Sequence, residues 1–356
     1  MIIGIPKEIR AHEGRVALTP AACARLVSEG NKVCVESMAG LGSGYQDTEY
    51  ADVGVDVIPS AEGLYKASDL IVKVKEPQFE EVPRLQSGQL LFCYLHLAAE
   101  QELTNHLLKS GVTAVGFEVI QLADGRLPLL APMSIIAGRL AAHIGTVLLH
   151  GHSGGKGLLL GALGFDDKYM DRGNVIVLGA GNAGEVAMSE LLRTGANVYV
   201  FDINMERLRA LKATYPAIIT CDAKSSDLLR EHLQYCDLLV GAVLVPGRRS
   251  PKVVSHKMVA EMPKKSVIVD IAIDQGGCVA TSCPTHWDDP TFVEEDILHF
   301  CVTNMPGAVA RTSTQALSVA ILPYVSAIAA GRLMQDPVLQ GGIYLSGGEI
   351  KYSGLS

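Results

Sequence analysis

Arg15, Lys75 and His96 each stand in or just past the end of a short β-branched run, in the order Ile2 to Ile5, Leu70 to Val74 and Leu90 to Tyr94. Two cations able to clamp a carboxylate and one imidazole able to move a proton near neutral pH suit chemistry on a small acid. A later run, Ser266 to Ile271, carries Asp270 within it and leads into a glycine-rich stretch that holds Asp274. Asp270 reads as a buried structural carboxylate, and Asp274, placed in the loop, as the group free for acid/base work.

A second motif concerns phosphate. Gly179, Gly181 and Gly184 form a Gly-x-Gly-x-x-Gly string with Asn182 inside it, directly after the apolar run Val175 to Leu178 and at the start of a helical stretch, Glu185 to Arg193. The first glycine makes a tight turn, the second lets backbone approach a pyrophosphate, and the third allows close helix-to-strand packing. Unpaired N–H groups at the helix start then face the anion. Asp202 lies at the end of the next run, where a carboxylate accepts the ribose hydroxyls and repels a 2′-phosphate. The expected cofactor is therefore NAD; Arg207 is of the type that can tolerate a 2′-phosphate, although an Arg so placed more often lies along the adenine face. Asn304, after the run His299 to Val302, has the amide to hold a nicotinamide or a substrate. The other glycine-rich stretch, Gly151 to Gly157, fails as a P-loop: His150 stands where the first glycine belongs, and Gly157 follows Lys156 where Ser or Thr is required.

These residues need strands to present them. Short β-branched runs alternate with helix-length segments throughout, the pattern of parallel sheets built from βαβ units. One series runs from Ile2 to Val115 and a second from Val175 to Val302. Thr19 and Pro20 open a helix over Ala21 to Glu29, closed by Gly30. Ser134 to Leu149 reads as a long buried helix between the two series, and Thr312 to Ala330 as a helix that packs back on the first. The expected fold is α/β, with two Rossmann-like doubly wound parallel-sheet domains and a cleft between them. The first domain is discontinuous, 1–133 plus 306–356, for substrate and catalysis; residues 134–305 form the NAD-binding domain.

Length and composition narrow the class. The chain has 356 residues, 48% of them hydrophobic and 19% charged, which suits a folded protein of two domains and not a disordered one. With 30 basic and 38 acidic residues the net charge is −8, and no basic block is present to grip nucleic acid. The N-terminus lacks a secretory signal, and Ala316 to Ala330 reads as too short for a membrane span and contains Pro323. A cytoplasmic location is expected. The eight cysteines are scattered without Cys-x-x-Cys or zinc spacing, so neither a disulfide nor a metal site is expected.

Longer strings now carry a resemblance. Gly4 to Glu8, Arg15 to Pro20, Val72 to Pro77, Leu95 to Ala98, Pro128 to Ser134, Gly241 to Gly247 and Val269 to Gly277 resemble, in order, the signature strings of alanine dehydrogenases in the alanine dehydrogenase/pyridine nucleotide transhydrogenase family. The resemblance implies a reversible NAD-linked oxidative deamination of L-alanine to pyruvate and ammonium, usually in a homohexamer. It implies that Arg15 and Lys75 bind the substrate carboxylate and that His96 and Asp274 are the catalytic acid/base pair. It implies cofactor contacts at Ser134, Asp202, Val243, Leu244, Ile271, Ala272, Ile273 and Asp274, and at Val302, Thr303, Asn304 and Met305. Two departures stand out: Cys283 occupies a place where relatives often carry a cofactor-contacting Arg, and Ile135-Ile136 replaces a common Glu-Val.

Three other readings compete. One is an amino-acid or opine dehydrogenase for a larger 2-oxo acid, with specificity set near Tyr94, Met133 and Met305. Another is the NAD(H)-binding component of a proton-translocating transhydrogenase, against which Ala272 to Gln275 lacks the expected Ala-Ala-Glu type of string. The last is a noncatalytic NAD-binding protein.

Overall fold

The computed structural model of the chain describes residues 1–98, 100–161, 172–245 and 248–355. Six strands open the chain: β1 (Ile2–Ile5), β2 (Lys32–Glu36), β3 (Asp56–Ile58), β4 (Leu70–Val72), β5 (Leu90–Cys93) and β6 (Thr113–Gly116). Seven follow: β7 (Asn174–Leu178), β8 (Asn197–Asp202), β9 (Ile219–Asp222), β10 (Leu238–Gly241), β11 (Val267–Asp270), β12 (Thr291–Glu294) and β13 (Ile297–Phe300). Two more, β14 (Ile343–Ser346) and β15 (Glu349–Ile350), come near the end. They make two sheets, ordered β15-β14-β6-β5-β4-β1-β2-β3 and β12-β13-β11-β10-β7-β8-β9.

The chain divides into two compact units: Met1–Met133, Pro246–Arg248 and Pro306–Ser356 make one, Ser134–Val245 and Arg249–Met305 the other. In the first, β1 to β6 pair in parallel, and the late segment returns to them. Strand β14 pairs antiparallel with β6, and the helix Ala310–Ala329 docks through hydroxyls, Thr314 Oγ1 accepting from Val16 N–H and Ser318 Oγ from Thr19 N–H, both at 3.0 Å. In the second, six strands are parallel, and β12 joins antiparallel to β13 at the edge. Valines and isoleucines of β7, β8, β10 and β11 point to both faces, as a sheet covered on both sides requires.

Several expectations need correction. The sheets are parallel-dominated as expected, but the alternation did not reveal the antiparallel strands that finish them, β12 on one and the pair β14 and β15 on the other. Strands β4, β10 and β13 stop at Val72, Gly241 and Phe300, short of the ends expected, although backbone bonds such as Tyr94 N–H to Val74 O carry the pairing of the first a little further. The helix expected over Ser134 to Leu149 spans Ala131–Leu148 and is not buried all round: Ile135 and Val147 are 41% and 50% exposed, on the face shared with Arg139 and His143. Two helices, Ala131–Leu148 and Met305–Ala329, are long and apolar enough to cross a membrane, so length alone does not disqualify the late segment. The first packs on the second sheet, where Gly145 lies against Leu238 of β10; the second packs on the helix Pro20–Ser28 and the turn Leu41–Ser43, with Leu317, Ile321, Val325 and Ile328 as its buried stripe.

Candidate active site

In the first sheet the strand order reverses between β1 and β4, and an open α/β sheet binds ligands outside its carboxyl ends at such a point. Arg15 lies in the loop after β1, Lys75 just past β4, and His96 just past β5. Arg15 is 2% exposed, its Nε donating to Glu13 Oε1 at 2.7 Å, its Nη2 to the other oxygen, and its Nη1 to Met133 Sδ at 3.2 Å. Burial alone would work against the charge, but Glu13 more than offsets it and holds the guanidinium above its ordinary pKa. Lys75 is 5% exposed and has no hydrogen-bond or ion-pair partner among the described residues. A buried ammonium whose N–H donors are unpaired is costly until an acceptor arrives.

Next to it, Glu76 Oε1 accepts from Arg10 Nη1 at 2.6 Å, while its Oε2 is buried with no hydrogen-bond partner among the described residues. Burial pushes this carboxyl up, yet Lys75 and Arg10, with a smaller share from His96, hold it below the ordinary carboxylate range. His96 sits in the left-handed region at φ 49°, which a non-glycine residue adopts only when held there. The carboxylate of Glu118, from the turn after β6, does the holding: it accepts the His96 N–H at 2.7 Å and the Leu95 N–H at 3.3 Å, and lies 4.0 Å from His96 Nδ1. The imidazole lies parallel to the Tyr94 ring in a stacked arrangement, centroids 5.9 Å apart.

Beneath this group Lys73 Nζ, fully buried, lies 3.0 Å from Glu8 Oε2 and 3.1 Å from Glu81 Oε2. Glu8 Oε1 also accepts the Val74 N–H at 2.6 Å, tying the end of β4 to the loop after β1. One ammonium faces two carboxylates, and burial pushes Glu8 up to about 7.

The second sheet reverses between β7 and β10, and the three glycines that follow β7 serve three separate needs. Gly179 has φ 98°, and a Cβ there would lie 2.6 Å from Ala242 O, just past β10. A Cβ on Gly184 would lie 1.8 Å from Gly179 O. Gly181 faces open space, with nothing within 4 Å, and caps the helix Asn182–Arg193, whose start has no side-chain cap. Room beside uncapped N–H groups fits a pyrophosphate. Asp202, ending β8, reaches back so that Oδ2 accepts the Ala180 N–H at 2.6 Å; Arg207 donates to Ala180 O at 2.9 Å and pairs with Glu185. Ser134 lies one turn before Gly138, where the helix runs so close to Ala183 that a Cβ would be 2.1 Å from its carbonyl.

The remaining positions lie past the other strands of this sheet. Val243 and the exposed Leu244 follow β10, but Pro246 and Gly247 of that string lie outside the described residues. Ile271, Ala272, Ile273 and Asp274 form a 3-10 turn after β11, and Val302, Thr303, Asn304 and Met305 follow β13. Asp274 is exposed and its Oδ1 accepts the Asn304 N–H at 3.0 Å, which joins these two loops. Asp270 is fully buried and accepts from the N–H groups of Ala272, Cys278 and Val279 and the hydroxyl of Ser282, so it shapes the turn that presents Asp274. Gly151 to Gly157 forms a turn pinned by a Lys156–Asp237 ion pair.

Glu8, Glu13, Glu76, Glu81 and Glu118 were not singled out from the sequence, because each is identified by what it touches and not by its spacing. All eight cysteines are free thiols, Cys283 alone exposed. His256, Glu294 and Glu295 bring ligand atoms within 4.8 Å of one another, but all three are exposed, and the arrangement is that of two surface ion pairs.

Comparison with known proteins adds the following. Residues 4–137 match the family model described as alanine dehydrogenase/PNT, N-terminal domain, and residues 141–353 its C-terminal domain. An alanine dehydrogenase of Halomonas elongata is 44% identical, with 100% of this chain and 96% of the relative aligned. A solved L-alanine dehydrogenase superposes with TM-score 0.92 at 42% identity, covering 100% and 98% of the two chains. A transhydrogenase from Sinorhizobium meliloti shares the fold, with TM-score 0.80 at 23% identity over 99% of each chain.

Proposed function

The chain belongs to the alanine dehydrogenase/PNT family, and from that premise we propose that it catalyses the reversible NAD-dependent oxidative deamination of L-alanine to pyruvate and ammonium. The observation that carries the reading is Lys75, buried with no hydrogen-bond or ion-pair partner among the described residues, which stands with Arg15 past the carboxyl ends of strands at the order reversal of the first sheet. A small carboxylate is the anion that such a place accepts.

The overall change consumes one water: L-alanine, NAD⁺ and water give pyruvate, ammonium, NADH and a proton. NAD, when bound, supplies the acceptor for the hydride of the alanine Cα. Residues 134–305 are assigned to its binding: Gly179, Gly181, Asn182 and Gly184 at the pyrophosphate, Asp202 and Arg207 at the adenosine, and Ser134, Val243, Leu244, Ile271 to Asp274 and Val302 to Met305 around the rest. Residues 1–133 with 306–356 are assigned to the substrate. Arg15 and Lys75 hold its carboxylate, which fixes Cα for transfer. His96 and Asp274 then move protons as water adds to the iminium and as ammonia leaves the carbinolamine, each worth about 10²- to 10⁴-fold.

We assign the enzyme to a cytoplasmic homohexamer that works without nucleic acid or membrane. Eight free thiols support a reducing compartment, and the oligomer rests on family membership. Mixing the protein with NADH, pyruvate and ammonium and following NADH absorbance tests the reading: absorbance falls only with all three present. Turnover confined to a larger 2-oxo acid, or hydride exchange between nucleotides without any pyruvate activity, overturns it.

A further inference from the structure

An α-amino acid carries opposite charges on two substituents of one carbon. Arg15 and Lys75 account for the carboxylate alone, and a site made only of cations would favour a 2-oxo acid over the amino acid formed from it. Beside Lys75 the first unit holds the complementary group. Glu76 Oε1 is occupied by Arg10, whereas Oε2 is buried with no hydrogen-bond partner among the described residues. A buried carboxylate oxygen left unpaired is costly, and the cost is relieved by a donor that arrives with the ligand. Lys75 is near enough to be the largest favourable charge on Glu76, yet the two make no ion pair. Both groups thus lack the hydrogen-bond partner that a ligand bearing each sign would supply.

We propose that Glu76 Oε2 receives the protonated amine of the substrate while Lys75 and Arg15 receive its carboxylate, so that two consecutive residues read both ends of the zwitterion. The inference rests on the deaminating reading above and adds to it the residue that distinguishes an amino acid from a hydroxy or oxo acid. A lactate-type hydroxyl can donate to Glu76 but brings no positive charge, and a methyl offers no donor, so the first gains a weaker bond than an ammonium and the second none.

Glu76→Gln keeps the shape and removes the charge. It should raise KM for L-alanine and for ammonium about 10- to 100-fold and leave KM for pyruvate within about twofold. Glu76→Asp, which keeps the charge, should recover part of the loss. NADH binding by fluorescence reports whether each variant is folded. A measurement on the unaltered enzyme stands beside these: propionate, which lacks the amine, should compete with L-alanine at least about tenfold more weakly than L-alanine itself binds. Equal affinities for the two, or KM values for alanine and pyruvate that rise together in Glu76→Gln, overturn the assignment. Absence of pyruvate amination in the unaltered enzyme would sink the deaminating reading instead, so the two failures are distinct.

Discussion

Lys73 and Lys75 are separated by one residue and live in opposite surroundings. Lys73 is locked between Glu8 and Glu81, whereas Lys75 has no ion-pair partner among the described residues. The string Val72 to Pro77 shows two lysines of equal standing, and only the placement of Glu8 and Glu81, far apart in sequence, separates a structural cation from a binding one. Strand-end cations and the imidazole are therefore legible in one dimension, but the carboxylates that hold them are not. His96 illustrates the point, since its left-handed backbone depends on Glu118 in the next strand's turn. Replacing His96 with Ala should lower kcat about 10²- to 10⁴-fold while NADH affinity, measured by fluorescence titration, stays within a few-fold. Turnover that survives nearly intact would remove His96 from the proton-transfer scheme.

At the level of elements, the alternation of strands and helices was readable because each parallel strand buries a β-branched run on both faces. The edges were not readable. The β12–β13 hairpin turns through Glu295 and Asp296, both in the left-handed region, where Asn-Gly is the usual signal. The glycine loop was readable in kind, though its three glycines are not interchangeable. Gly184→Ala drives a methyl into the Gly179 carbonyl and should cost about 1–3 kcal/mol of stability, seen as a lower Tm, with cofactor affinity lost as well. Gly181→Ala meets no atom of the protein and should keep Tm nearly unchanged while weakening NADH binding, because the added methyl occupies the room assigned to the pyrophosphate. Equal effects on Tm from the two substitutions would contradict this division of labour.

For the molecule as a whole, the buried Lys73 cluster couples stability to pH. Burial raises the Glu8 carboxyl from 4.5 to about 7, so the folded state keeps a proton that the unfolded chain releases. The stabilisation is complete below about pH 4.5 and is lost as pH rises through about 7, a decline on the order of 1–3 kcal/mol. Urea midpoints measured from pH 5 to 8 should fall accordingly, and Glu8→Gln should flatten that slope; parallel slopes in the two proteins would discount Glu8 as the source. A different consequence follows from the return of β14 to β6 and of the helix Ala310–Ala329 to the loop after β1. On the ribosome, the unit begun first is the one finished last. Its last two strands and its late helix wait for residues made after the other unit has emerged, so the nascent protein matures from the middle outward.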